Sequence, residues 1–134
     1  MGVNLSRHNR RMIERVNVTS ESAYESAVGY SRAVRVGRHI AVAGTTGSGD
    51  DVAAQTRDVL RRIEAALSEV GATLRDVVRT RIFVTDITKW QEVAAVHAEA
   101  FGDIQPAATR VEVSALIDPA LQVEIEADAY VSES

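Results

Sequence analysis

Residues 106–130 read PAATRVEVSALIDPALQVEIEADAY, and their alternation decides the fold. Successive side chains of a strand leave on opposite faces. In the first half, Ala108, Arg110, Glu112 and Ser114 share one face, while Thr109, Val111 and Val113 share the other. In the second half, Leu121, Val123, Ile125, Ala127 and Ala129 make an apolar row opposite Gln122, Glu124, Glu126 and Asp128. Between them Ile117-Asp118-Pro119-Ala120 carries turn chemistry. The stretch is expected to be two strands joined by a turn, in a sheet with one apolar face and one crowded with charge. A solvated surface has that pattern. So does the wall of a ligand cleft, with Arg110 and Glu124 as its working groups.

The rest of the chain supplies a sheet for these strands to join. Val78, Thr80, Ile82 and Val84 alternate with Val77, Arg79, Arg81, Phe83 and Thr85, which predicts another strand. Before it, Val52, Thr56, Val59, Leu60, Ile63, Leu67 and Val70 recur at helical spacing. Asp50 or Asp51 is placed to cap that helix, and Gly71 to end it. A second helix is expected after Asp86 or Thr88, with Thr88 and Gln91 as a capping box. Its stripe is Trp90, Val93, Ala94, His97, Ala100 and Phe101, and Gly102 ends it. Upstream, residues 30–44 read as a hairpin bent at Gly37-Arg38, with glycine placed for a type II′ turn. Residues 12–18 alternate as a first strand, and residues 19–29 read as a loop with room for a helical turn. Residues 1–11 are polar and basic without periodicity and are expected to be a disordered tail. Residues 12–131 then form a single domain. Two amphipathic helices cover one face of a six-stranded sheet and leave the other open. An open face with two unprotected edges points to a homo-oligomer.

Composition narrows the function. The chain has 134 residues, a formal charge of −4 and a 46% hydrophobic share. A domain of that length holds a real core, and an acidic balance gives no electrostatic reason to expect nucleic acid. With no cysteine, disulfides, thiolate catalysis and cysteine-bound metals are excluded. No run approaches the apolar length of a membrane span, and the first residues lack a signal peptide's apolar core. A cytoplasmic protein is expected.

The glycine-rich stretch 44–51 has neither the Lys-Ser/Thr ending of a P-loop nor the dinucleotide-binding spacing. His8, His39 and His97 show no metal-ligand spacing, so no metal is expected, and His97 reads as a half-buried packing residue. No G-x-S-x-G elbow is present. Glu124 and Glu126 stand two residues apart on one strand face. In a cleft, desolvation and mutual repulsion raise the pKa of such a pair, and a carboxylate so poised holds or activates a water. Arg110 offers a planar fork suited to a carboxylate ligand, or to an ion pair with Glu112 or Glu124.

Several segments together resemble the Rid (YjgF, reactive intermediate deaminase) family. Residues 28–37, VGYSRAVRVG, resemble that family's GPYSQAVRVG, and residues 40–44, IAVAG, its next strand. Ala54-Gln55-Thr56 with its helix, residues 77–86, residues 106–113 and residues 123–127 also match in order and spacing. The resemblance spans residues 12–131. It implies an α/β (α+β) fold of the chorismate-mutase-like kind and a homotrimer with a central barrel. It implies intersubunit clefts for small carboxylate, carbonyl or imine ligands, hydrolysis of enamines and imines to 2-oxo acids and ammonia, and no cofactor. Carried over by position, Tyr30 lines the cleft and Glu124 positions the attacking water. The family's carboxylate-gripping arginine is absent: Ala108 stands there, and Arg110, two residues on, is the displaced candidate. The alternative is a non-catalytic homologue that binds a metabolite or a partner in the same clefts.

Overall fold

A sheet of six strands in the order β1-β2-β3-β6-β4-β5 organises the structure, a computed structural model that describes residues 14–20 and 22–132. The strands are β1 (Arg15–Val18), β2 (Ala33–Val36), β3 (His39–Thr45), β4 (Val77–Val84), β5 (Ala107–Glu112) and β6 (Val123–Tyr130). The helices are α1 (Ala23–Val28), α2 (Val52–Glu69) and α3 (Trp90–Phe101). The expected tail at residues 1–11, and Met12 and Ile13 of the first strand, lie outside the described residues.

Local chemistry accounts for the element ends. Asp51 caps α2, accepting from the Ala54 N–H at 2.8 Å. Gly71 follows the helix at φ 78, a left-handed position that glycine takes without steric cost. Gly37, at φ 60, turns β2 into β3, and Arg38 keeps a negative φ. That is the first-position glycine of a type II′ turn. The entry to α3 departs from the expected capping box. Asp86 caps a short 3₁₀ turn, Ile87–Lys89, by accepting from Thr88 N–H at 3.0 Å and Thr88 Oγ1 at 2.6 Å. The helix then starts at Trp90 with no side-chain cap of its own. Residues 19–29 hold a short helix, α1, whose cap Ser22 accepts from the Tyr24 N–H.

Helices α2 and α3 pack together on one face of the sheet. The core between the layers contains Val59, Ile63 and Leu67 from α2, Val93, Val96 and Phe101 from α3, and Ile40, Ile82, Val123 and Ile125 from the strands. Val96 takes a core place that the sequence stripe assigned to Ala94, and Trp90 remains 42% exposed. Strand β4 also departs from strict alternation. Val77 is buried and Val78 exposed, whereas Thr80, Ile82 and Val84 are buried. A register shift between Val77 and Arg79, against β6, reverses the parity there.

The stretch 106–130 forms its two strands, but they are not neighbours. β5 runs parallel to β4, while β6 is inserted between β3 and β4 and is antiparallel to both. The turn at residues 118–121 is real: the Ala120 N–H donates to Asp118 Oδ1 at 2.8 Å, and the Leu121 N–H to the Asp118 carbonyl at 3.0 Å. It lies within a longer connection, residues 113–122, that carries the chain past β4. A tight hairpin would have forced the two strands side by side; a long connection releases them from that constraint.

Candidate functional site

Register decides which way each candidate side chain leaves the sheet. On β6, Val123, Ile125, Ala127 and Ala129 are buried under the helices. Glu124, Glu126 and Asp128 therefore leave on the open face. There Arg81 bridges Glu126 at 3.3 Å and Asp128 at 3.0 Å. Glu124 lies beyond the reach of that ladder, opposite Phe83.

Arg110 goes the other way. It pairs with Ile82, a core residue, so its side chain leaves on the helix-covered face. Its guanidinium carbon stands 5.1 Å from the centre of the Trp90 ring on α3, at cation–π distance. The expectation that Arg110 and Glu124 share one face is corrected here. They lie two strands apart, on opposite faces, because period-two alternation on β5 is phased to Ile82 and that on β6 to Phe83. Next to Arg110, His97 is half-buried, with Nε2 3.0 Å from Thr80 Oγ1 and its ring 4.7 Å from that of Phe101. Burial first, and the neighbouring Arg110 charge second, push the imidazole pKa below its ordinary value. Arg110→Ala is expected to raise the His97 pKa, since it removes a like charge; an NMR titration of the ring protons that shows no rise would disprove the contact.

Glu124 and Tyr30 meet in a cavity of about 760 Å³, well within the range of small-molecule sites. Its walls include Tyr24 and Val28 of α1, Arg32, Gly44, and Arg62 of α2. The α1 wall is tied down by buried Glu25, which accepts from the Ser20 N–H at 2.9 Å and from the Ser20 hydroxyl. Those two bonds, from the side chain and then the backbone of Ser20, hold its pKa below the ordinary carboxylate value.

Glu124 owes its place to an irregularity in β3. The β3–β6 register slips between Val42 and Thr45, so that Gly44 lies at a bulge. A Cβ built on Gly44 would stand 2.2 Å from Glu124 Oε2 and 3.0 Å from its Cδ. Only glycine leaves room for that carboxyl. Across the same residue, Arg32 donates through Nη2 to the Gly44 carbonyl at 2.6 Å. Glu124 is half-buried, and burial pushes its pKa above the ordinary value. Arg32 acts in the opposite direction, and Glu126 adds to the rise. Arg32 and Gly44 belong to segments that carry the family resemblance, yet neither stands out in the sequence as a site residue. A glycine inside an otherwise regular strand is a signal for a bulge and points to Gly44; nothing in the sequence directs the Arg32 side chain to it.

Among the described residues no cluster of three or more His, Asp or Glu is arranged to hold a metal, and no helix is long and apolar enough to cross a membrane.

Fold and cavity together define a small α+β domain with a carboxylate-bearing cleft at a sheet bulge. Residues 20–131 match the family described as Endoribonuclease L-PSP. A RutC family protein of Pyrococcus abyssi is 37% identical over 121 residues, which cover 84% of this chain and 94% of that protein. A Mycobacterium tuberculosis member of the YjgF/YER057c/UK114 family superposes with a TM-score of 0.87 at 69% identity, covering 88% of this chain and all (100%) of the other. A protein of the conserved Rid family from Yersinia pestis does so at 0.78 and 32% identity, covering 87% and 99%. The chain belongs to this YjgF/Rid family. The 3-aminoacrylate deaminase RutC of Acinetobacter baylyi is 40% identical over 81 residues, or 60% of this chain and 64% of that protein.

Proposed function

We propose that the cleft hydrolyses small enamines or imines to the corresponding carbonyl compound and ammonia. The observation that carries this reading is Glu124: a half-buried carboxyl with a raised pKa, opening into a cavity of ligand size. As the carboxylate it holds a water and takes its proton. An enamine first gains a proton on carbon and loses one from nitrogen, becoming the imine. The water oxygen then bonds to the imine carbon, the C=N π pair moves to nitrogen, and nitrogen takes up the proton that Glu124 removed from the water. When the carbinolamine collapses, the hydroxyl proton passes by way of Glu124 to nitrogen, the C–N bond breaks, the carbonyl forms and ammonia leaves. Tyr30 forms a wall of the cleft. The deaminase named among the relatives supports the reaction class.

The proposal extends to a homotrimer, to a cytoplasmic setting, and to chemistry without metal or cofactor. Assembly gives Arg110 a part in ligand binding. Strand β5 is exposed along its whole length at the sheet edge. From there Arg110 reaches only a neighbouring copy's cleft, since its own Glu124 lies on the other face.

A coupled assay tests the reaction. An amino-acid oxidase generates the imine, and 2-oxo acid release is timed with and without the protein. Acceleration that fails in Glu124→Gln is expected; release at the buffer rate would refute the reading. One observation favours a second reading, a non-catalytic binding module: Arg110 is engaged with Trp90 instead of facing the cavity. Ligand binding without any acceleration would support that module.

A further inference from the structure

Arg32 is a cation whose charge acts on Glu124, and its surroundings leave it underused. Its Nη2 is occupied by the Gly44 carbonyl. Its Nε is buried and has no hydrogen-bond acceptor. A buried donor left unsatisfied is costly and calls for an explanation. Among the described residues Arg32 forms no ion pair, although it is close enough to Glu25 and Glu124 to lower the pKa of both. The other arginines on the cavity wall are committed: Arg61 and Arg62 both pair with Asp58, the latter at 3.0 Å. Arg32 and Glu124 thus converge on Gly44, one at its carbonyl and the other beneath its Cα, without bonding to each other.

We infer that Arg32 is the anion anchor of this cleft. The inference rests on the hydrolytic reading of the site and names the residue that orients its ligand. A guanidinium offers several donors in a plane, so a ligand carboxylate can bind while Nη2 keeps the Gly44 carbonyl. Because both protein groups border one glycine, a carboxylate on Arg32 puts the adjacent carbon next to Glu124.

Pyruvate and its neutral amide, pyruvamide, differ in little but charge, so the ratio of their affinities reads the anchor within each protein. That ratio is insensitive to a general loss of folded protein. Wild type is expected to prefer pyruvate about tenfold or more, as a charge-assisted hydrogen bond implies. In Arg32→Gln the ratio should fall to about one, and Arg32→Lys should restore part of it. A preference that survives in Arg32→Gln, or that disappears in Arg110→Ala instead, overturns the assignment. So does a wild type without preference. The two levels fail separately. Imine hydrolysis with an unchanged ratio in Arg32→Gln removes the anchor and leaves the reaction. A ratio abolished by Arg32→Gln in a protein that accelerates no hydrolysis removes the reaction and leaves the anchor.

Discussion

Glu124→Gln should abolish imine hydrolysis and at the same time stabilise the fold at neutral pH. The activity loss is expected at about 10²–10⁴-fold, the usual contribution of a positioned general base. Glutamine keeps the shape and can still hold a water, but it cannot take the proton. The stability gain follows from the raised pKa. The cost of ionising Glu124 inside the cleft is present in the native state and absent in the unfolded chain. Above the raised native pKa the wild type bears that cost in full. As pH falls through it toward the unfolded value of about 4.5, the native carboxyl takes up a proton before the unfolded one does, and the cost disappears. The gap in Tm between variant and wild type should therefore be largest at neutral pH and close in acid. The acid limb of wild-type kcat/KM should lie above 4.5, because the base must be ionised. A variant that keeps its activity, or a Tm gap that widens in acid, would contradict the assignment of Glu124.

Gly44→Ala should have an effect nearly as large, through geometry alone. The new methyl would stand 2.2 Å from Glu124 Oε2, which forces the carboxyl to swing away. The displaced atoms are the far end of a side chain that borders open cavity, so the chain should still fold, with only a small loss of Tm. Gly44 does not have a positive φ, so alanine meets no backbone penalty. Misplacing a catalytic group by about 1 Å can cost about 100-fold in rate, and a fall of that order in kcat is expected. Gly44→Ala combined with Glu124→Gln should be little worse than Glu124→Gln alone, since both act on one carboxylate. Additive losses, or a Gly44→Ala protein with wild-type kcat, would show that the bulge does not position Glu124.

The carboxylate strand is legible in the amino-acid order, because alternation alone separates Val123, Ile125 and Ala127 from Glu124 and Glu126. So is the hairpin at Gly37, where a single residue type meets the turn's backbone requirement. The helix from Val52 is equally plain, with its stripe and its Asp51 cap. The partner of each strand is less legible. The Asp118-Pro119 turn is genuine, yet turn chemistry says only that the chain bends, not which strand it then meets, and after β5 the chain passes β4 so that β6 enters the middle of the sheet.

Within one strand, side-chain parity is a local property of the backbone, and the amino-acid order determined it for Glu124 and for Arg110 separately. Whether the two face each other depends on how β5 and β6 are phased against β4, and that is a matter of hydrogen-bond register between segments distant in the chain. The same holds for the cleft. Tyr30, Arg32, Gly44 and Glu124 come from three separate segments, and the β3 bulge that seats the carboxyl beneath Gly44 arises only when β3 and β6 pair.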